Sequence, residues 1–334
     1  MTHLQKTLLI LAFIQVLAAV GLHLDPSDTA PAPANTLLGL KPSDVTELKI
    51  TKPAQDQTAE QSLVLSRKDS DWVLPSADNF AVDSQKVDEV IEKLTNLTVE
   101  NPIASSAVNH NTLKVGVREY SKRVTIKTAT ESVELVIGDA KGRSMYLRRK
   151  DSADVYLANG ITAFDVGHEV THYTDPEYFS VSDLKEVIIE RPNVARYSTV
   201  RLYQDSGGLW TVEGLEDKTL EQSRVRALLS AVRSARMVRP VGKSLRPEFG
   251  LGNPKVKVTV GGENKTVEFI LGNITDDFIY MKASDKEDVV MVRKYTVESL
   301  FTLDPTRLID PKANSAAEPG LNMPAPPSLT PMQQ

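Results

Sequence analysis

One five-residue stretch has the residue types and spacing needed for metal chemistry: His168-Glu169-Val-Thr-His172. On an α-helix, two histidines four positions apart share a face and can bind Zn²⁺ together, while the glutamate activates a metal-bound water. A catalytic zinc ion needs a third protein ligand, and no histidine follows His172, which leaves carboxylates such as Glu186 or Glu190. The flanking glycine, threonines and Asp-Pro pair favour a short connection over a stable helix. We therefore interpret the stretch as a polar loop without metal or cofactor, and keep a zinc-dependent peptidase using His168, Glu169 and His172 as an alternative.

A second pattern is a concentration of arginine late in the chain. Between Leu220 and Arg239 five arginines accompany a single glutamate, whereas between Asp83 and Asn96 four acidic residues accompany two lysines. Arginine is common at the energetic centres of protein interfaces. We predict that the basic stretch binds an acidic protein partner; a solvated helix face or contact with anionic lipid headgroups would give the same pattern. The predicted partner-binding residues are Arg224, Arg226, Arg233 and Arg236.

The rest of the composition narrows the class of function. The chain has no cysteine, which excludes disulfides, thiolate zinc sites and thiol catalysis. A formal net charge of -5 gives no positive field that would favour nucleic acid. Val241-Gly-Lys-Ser244 resembles the end of a phosphate-binding loop, but Met237 stands where its first glycine belongs, and no G-x-S-x-G elbow occurs. These observations predict a protein that is not an enzyme.

The same sequence pattern occurs twice. Trp72 and Trp210, the only tryptophans, lie 138 positions apart. At that offset the apolar series Val87, Val90, Ile91 and Leu94 matches Val225, Leu228, Leu229 and Val232. After a four-residue gap, Val115-Gly-Val117 matches Phe249-Gly-Leu251, Gly138 matches Gly272, and Tyr146 matches Tyr280. A repeat at a fixed offset defines the architecture, so we predict a first repeat over residues 44–180 and a second over 181–310, with Trp72 and Trp210 in their cores.

Each repeat shows the same order of elements. Alternating apolar residues predict strands, and apolar positions three and four apart predict one helix per repeat, from Asp83 to about Asn96 and from Leu220 to about Met237. Asp83 is the predicted N-cap of the first helix. The predicted fold class is α+β: two tandem copies of an antiparallel β-sheet unit with one main helix each, after an N-terminal transmembrane helix.

The N-terminal region indicates the compartment. Residues 7–24 are almost all apolar, and 18 residues rising about 1.5 Å each would just cross the core of a bilayer. Lys6 precedes this segment and Asp25 follows it, so the distribution of positive charge predicts a cytoplasmic N-terminus at 1–6, a transmembrane signal anchor at 7–24 and an extracytoplasmic remainder.

A cleaved signal peptide is the competing interpretation, because Ala19-Val-Gly21 offers small residues that a signal peptidase accepts. Residues 25–43 are rich in proline and alanine and are predicted to form an extended tether. Residues 311–334 are polar and proline-rich and are predicted to form a disordered tail.

The repeated unit resembles a bacterial family that carries only a domain-of-unknown-function label. The resemblance covers most of residues 45–308 and rests on the basic-Pro strand ends, Asp71-Trp-Val-Leu, Gly208-Leu-Trp-Thr, the helix, Phe249-Gly-Leu251, Leu271-Gly272 and the tyrosine strand that follows. The resemblance implies an N-terminal membrane segment, a duplicated extracytoplasmic region, and genes that often lie beside gliding-motility-type ABC transporters. It supplies no catalytic residues. Relative to the second repeat, the first has about five extra residues, Gly167 to Thr171, and this insertion, which creates the motif of His168 and His172, is not part of the family pattern.

Taken with the resemblance, the sequence predicts a single-pass protein of the bacterial inner membrane whose bulk is periplasmic. We expect a non-catalytic accessory scaffold that binds an ABC-type transporter complex, with the membrane and a protein as partners and no nucleic acid. Two alternatives remain open: the zinc-dependent peptidase, and a protein that binds an envelope ligand or polymer in a cleft between the repeats.

Overall fold

The computed structural model of the protein describes residues 36–54 and 59–315, and most of the regular secondary structure in these residues is β-strand. Two antiparallel sheets confirm the predicted antiparallel architecture, while the helices of the described residues are few and short, so helix is a smaller component than α+β implies. The predicted transmembrane segment 7–24 lies outside the described residues. Within the described residues no helix combines the length and the apolar character needed to cross a membrane.

The first sheet contains eight strands: β1 (Val45–Lys52), β2 (Gln61–Lys68), β3 (Asp71–Leu74), β4 (Phe80–Ala81), β5 (Lys122–Thr128), β6 (Ser132–Lys141), β7 (Ser144–Arg149) and β8 (Val155–Ala158). Helix α1 (Ser84–Thr95) and the short helix α2 (Ala107–Thr112) lie between β4 and β5 in the chain. The order across the sheet is β4-β3-β2-β1-β5-β6-β7-β8.

The second sheet contains nine strands: β9 (Glu177–Ser180), β10 (Leu184–Glu190), β11 (Thr199–Gln204), β12 (Trp210–Val212), β13 (Ser234–Gly242), β14 (Val256–Gly262), β15 (Thr266–Thr275), β16 (Phe278–Ala283) and β17 (Val289–Arg293). Helix α3 (Gln222–Arg233) lies between β12 and β13, and helices α4 (Lys294–Phe301) and α5 (Pro311–Ser315) follow β17. The order across the sheet is β12-β11-β10-β14-β15-β16-β17-β13-β9.

The described residues divide into two compact units, one of residues 36–54, 59–62 and 88–166 and the other of residues 63–87 and 167–315. The core of the second unit combines alternate residues of the second sheet with the apolar stripe of α3. Val225 and Val232 of that stripe are fully buried, as the spacing of apolar residues on one helix face requires. The tryptophans of β3 and β12 are both buried, with exposed fractions of 0% for Trp72 and 8% for Trp210.

The sequence repeat is a structural repeat. Strands β1–β3 and β5–β8 have counterparts in β10–β12 and β14–β17, and α1 and α3 occupy the same place in the two orders. Each repeat also has a small satellite apolar cluster. One contains Val115, Val136, Tyr146 and Val155, and the other contains Phe249, Ile270, Tyr280 and Val289, which are the same four positions at the predicted offset.

Gly138 and Gly272 occupy equivalent positions and serve the same purpose. A Cβ atom on Gly138 would meet the carbonyl oxygen of Leu113, and one on Gly272 would meet that of Phe249. Each glycine also lies in a stretch where the register of the sheet shifts, in β6 and in β15. A loop therefore crosses the strand so closely that only glycine fits, which is the reason for the matched glycines in the sequence.

The first predicted helix is nearly correct, and the second is too long at its C-terminus. Helix α1 begins one residue after Asp83, whose carboxylate accepts a hydrogen bond from the backbone N–H of Lys86 at 3.3 Å, as an N-cap does. Helix α3 ends at Arg233, not at Met237, because the following residues form β13. There the backbone pairs with β9 on one side and β17 on the other, and this pairing outweighs the helical propensity of the sequence.

The described residues at the inner ends of the two predicted terminal segments are folded. At the end of the predicted tether, the backbone N–H of Leu37 donates to the carbonyl of Leu97 at 2.8 Å, and Leu37, Leu38 and Leu40 are buried because they are apolar in an otherwise polar stretch. At the start of the predicted disordered tail, helix α5 forms because the Asp310 carboxylate accepts from the backbone N–H of Lys312 at 2.8 Å. The remainder of both segments lies outside the described residues.

Candidate partner-binding groove

The zinc-peptidase motif does not form the helix that its chemistry requires. Glu169 has extended backbone angles (φ -103°, ψ 143°), and only Val170–His172 turn, as a 3-10 helix. The helical spacing that would place His168 and His172 on one face is therefore absent. No group of three or more His, Asp or Glu side chains within residues 36–54 and 59–315 is arranged to hold a metal ion.

The segment around the motif instead contacts the start of helix α1 through Tyr173. The ring of His172 lies edge-on to Tyr173, with the ring centroids 4.9 Å apart. The Tyr173 hydroxyl donates to the carbonyl of Gly167 at 2.9 Å, and the Tyr173 carbonyl accepts from the backbone N–H of Asp83 at 2.7 Å. Burial raises the pKa of Tyr173 far above its ordinary value, so the hydroxyl stays protonated as a donor.

The four predicted partner-binding arginines separate into three groups. Arg224 already has partners within the chain, because its guanidinium lies 2.7 Å from the Glu221 carboxylate and donates to the carbonyl of Arg307 at 2.8 Å. Arg236 belongs to β13 rather than to the helix, so its assignment to a helical face is wrong. Arg226 and Arg233 remain, seven positions apart on α3, where seven residues make nearly two full turns and bring both to one face.

Arg226 and Arg233 line a groove in the second unit. The groove has a volume of about 390 Å³ and lies between α3 and the turn that leads into β12. Its lining residues are Gly208, Leu209, Trp210, Gln222, Arg226, Leu229, Ser230 and Arg233. Leu229 is 4% exposed and forms an apolar floor, whereas Leu209 is 58% exposed at the rim. A concave apolar floor with a few polar groups at its edge is the usual form of a binding site.

The groove is electrostatically positive. Helix α3 contains three arginines and no acidic residue. Arg226 and Arg233 are both exposed, and no salt bridge within the described residues involves either of them. The groove therefore presents two guanidinium groups that can form charge-assisted, bidentate hydrogen bonds with carboxylates.

Gln222 fixes the wall of the groove that β12 provides. Its side-chain oxygen accepts from the backbone N–H of Trp210 at 3.2 Å, and its side-chain nitrogen donates to the Trp210 carbonyl at 3.0 Å. Because β12 is an edge strand of the sheet, these two hydrogen bonds satisfy backbone groups that would otherwise face solvent or another strand. The equivalent contact in the first repeat is a hydrogen bond of 2.9 Å from the Trp72 N–H to the Ser84 hydroxyl.

The first repeat has no arginine at the positions equivalent to Arg226 and Arg233. At the offset of 138, Asp88 matches Arg226, Glu92 matches Ser230, and Thr95 matches Arg233. The sequence predicts both arginines as partner-binding residues, whereas Gln222 and Leu209 are not among the predicted residues. Gln222 could have been found from the repeat, because a polar residue follows each tryptophan at a distance of twelve residues.

The family model described as "Domain of unknown function (DUF4340)" matches the chain twice, at residues 72–239 and at residues 210–315. The two matches begin at Trp72 and at Trp210, so they reproduce the repeat seen in the sequence and in the sheets. No curated protein and no solved structure matches the chain. Together the two family matches span residues 72–315 of the 334 residues, which is more than half, and the chain therefore belongs to the DUF4340 family.

Proposed function

We propose that the protein is a non-catalytic scaffold that binds an acidic segment of a partner protein in the groove beside α3. The observation that carries this proposal is the pair Arg226 and Arg233, both exposed and without a salt bridge among the described residues, above the buried side chain of Leu229. When a partner covers an arginine, the side chain loses conformational entropy and its contact with water, and both losses cost free energy. A carboxylate on the partner compensates for this cost by forming charge-assisted hydrogen bonds with the guanidinium.

The composition of the groove is that of an interface centre. Interfaces concentrate their binding energy in a few central residues, and Trp, Tyr and Arg are the most frequent among them. Here Trp210 and the two arginines all line the groove, together with the apolar side chain of Leu229. A partner side chain placed on Leu229 would lose its contact with water, which strengthens nearby charged hydrogen bonds.

The proposed setting of this scaffold is the outer face of the bacterial inner membrane, beside an ABC-type transporter complex. The apolar segment 7–24 with Lys6 before it and Asp25 after it supports the membrane anchor and its orientation. The resemblance to a family whose genes often lie beside such transporters supports the choice of partner.

The test is mild cross-linking in intact cells, followed by detergent extraction and identification of the proteins that co-purify with the tagged full-length chain. Wild-type protein is expected to recover transporter subunits, and the double variant Arg226→Glu with Arg233→Glu is expected to lose them. The matched control is Arg143→Glu, an exposed arginine in the turn between β6 and β7. Equal recovery of the same subunits by wild type and by the double variant would refute the groove as the docking site.

A further inference from the structure

We infer that the ligand of this groove is an acidic, amphipathic helix recognised through its side chains. Its two carboxylates lie seven positions apart and flank one apolar side chain. The inference rests on the proposed function, because it specifies the chemistry of the partner that the scaffold binds. It follows from three features of the groove: a closed strand edge, the separation of the two arginines, and the apolar floor between them.

The first feature is that backbone groups on the outer edge of β12 already have hydrogen-bond partners. A peptide can add to a sheet only by forming hydrogen bonds with free backbone groups of an edge strand. The N–H and the carbonyl of Trp210 are both bonded to the Gln222 side chain, and the carbonyl of Val212 accepts from the backbone N–H of Leu215 at 2.9 Å. An added strand would have to displace these hydrogen bonds, so recognition through side chains is favoured.

The second feature is the spacing of the two guanidinium groups along α3. Arg226 and Arg233 are seven residues apart, and at a rise of about 1.5 Å per residue their α-carbons are separated by roughly 10 Å along the helix. A second helix packed alongside has the same rise, so acidic residues at positions i and i+7 match both arginines. In an extended peptide, side chains on one face recur every 7 Å or so, which gives separations of about 7 or 13 Å and a poorer match.

The third feature is the apolar surface between the arginines. Leu229 lies between Arg226 and Arg233 in the sequence of α3, and Leu209 is a second apolar residue that lines the groove. A residue at i+3 or i+4 of the ligand helix lies on the same face as the two acids. An apolar side chain at that position would fill the groove, which accommodates a side chain rather than a whole element of structure.

A membrane surface is a less suitable ligand for this groove. Segments that recognise anionic lipid headgroups usually contain a cluster of about four to eight basic residues. The groove has two arginines around a concave apolar floor. This arrangement favours a defined peptide, and lipid binding is treated as one of the outcomes of the test.

The test measures fluorescence anisotropy of labelled synthetic peptides with the full-length protein in detergent. The probe is an alanine-rich peptide of about 20 residues, long enough to be helical, with two glutamates seven positions apart and a leucine midway between them. Comparison peptides place the glutamates five positions apart, replace both by lysine, or replace the leucine by aspartate. The proteins compared are wild type, Arg226→Glu with Arg233→Glu, and the control Arg143→Glu, each checked for folding by circular dichroism.

We expect the matched peptide to bind wild type at least about tenfold more tightly than each comparison peptide, since two charged contacts and one apolar contact are at stake. The double variant should no longer bind this peptide and should instead bind the peptide with two lysines. An unfolded variant cannot show this reversal of specificity. Equal binding of peptides with the two spacings would overturn the inference. Binding to vesicles of phosphatidylglycerol that depends on the two arginines, with no peptide bound, would also overturn it in favour of a lipid ligand.

The two proposals can fail separately. If no peptide binds while recovery of the cellular partner still depends on Arg226 and Arg233, the ligand chemistry is wrong and the scaffold function stands. If the matched peptide binds as expected while recovery of transporter subunits does not depend on the arginines, the peptide specificity stands and the proposed function is wrong.

Discussion

Gln222 replaces a neighbouring strand for Trp210. Its amide pairs with both the N–H and the carbonyl of the Trp210 backbone, at 3.2 and 3.0 Å, which is the pattern that the opposite residue of an antiparallel strand would form. In the first repeat the two roles are divided, because the Trp72 N–H donates to the Ser84 hydroxyl at 2.9 Å and the Trp72 carbonyl accepts from the backbone N–H of Val82 at 3.1 Å. One pair of residues thus closes a sheet edge, positions the first turn of α3 and forms one end of the groove.

The first prediction concerns this pair. Gln222→Ala removes two hydrogen bonds and leaves the Trp210 backbone groups at the wall of a groove that water can enter, so we expect the free energy of unfolding to fall by about 1–2 kcal/mol. Chemical denaturation of the purified protein measures this change. The matched control is Gln61→Ala, which truncates an exposed glutamine at the start of β2. A loss in Gln222→Ala no larger than in the control would show that these hydrogen bonds do not stabilise the edge.

The second prediction tests the close crossing at Gly272. A methyl group there would collide with the carbonyl oxygen of Phe249, which is backbone and cannot move aside easily. We expect Gly272→Ala to lower the free energy of unfolding by about 3 kcal/mol or more, as overpacking against a rigid neighbour does. The control is Gly252→Ala, in the loop beside it, where an added methyl group would meet no atom within 4 Å. Similar melting temperatures for the two variants would show that the Phe249 carbonyl does not approach Gly272 so closely.

The fold is largely predictable from the sequence because the repeat presents the same order of strands and helix twice. Helix α1 was predicted to within one residue at each end, since Val87, Val90, Ile91 and Leu94 fix both its period and its length. The end of α3 was not predictable in this way. Ser-Ala-Arg-Met continues the helical pattern locally, and only the pairing of Ala235 with Phe179 and of Met237 with Val292 makes it a strand.

The candidate site was predictable in part. Helical spacing alone places Arg226 and Arg233 on one face. That Arg224 is unavailable depends on the carbonyl of Arg307, 83 residues away, which no local pattern reveals. The rim residue Leu209 likewise belongs to the site only because β12 folds back beside α3. Contacts between distant parts of the chain therefore decide which of the predicted residues remain open to a partner.

The third prediction concerns alkaline pH. Burial raises the pKa of Tyr178 from 10.0 to about 12, against the opposing effect of the hydrogen bond that its oxygen accepts from the Ala283 N–H. Because the pKa is higher in the folded than in the unfolded chain, the neutral phenol stabilises the fold fully below about pH 10. This contribution is lost as the pH rises through about 12.

The corresponding measurement is urea denaturation of wild type and Tyr178→Phe at about pH 9 and about pH 11.5. Wild type is expected to lose more stability between the two pH values than Tyr178→Phe does, although the variant starts lower because it lacks the hydrogen bond to the Asp288 carbonyl. Tyr295→Phe, at an exposed tyrosine, should behave as wild type. The same loss in all three proteins would mean that Tyr178 does not titrate as the buried group described here.

The last prediction addresses the histidine pair. Since the backbone at Glu169 is extended, His168 and His172 are not placed to share a zinc ion, and we expect the double variant His168→Ala with His172→Ala to recover the same partners as wild type. Elemental analysis of purified wild type is expected to find less than one zinc ion per chain, unchanged in the double variant and in the control His110→Ala. One zinc ion per chain that disappears only in the double variant would restore the peptidase hypothesis. Glu169→Gln would then be the variant to assay, because it removes the base while keeping both ligands.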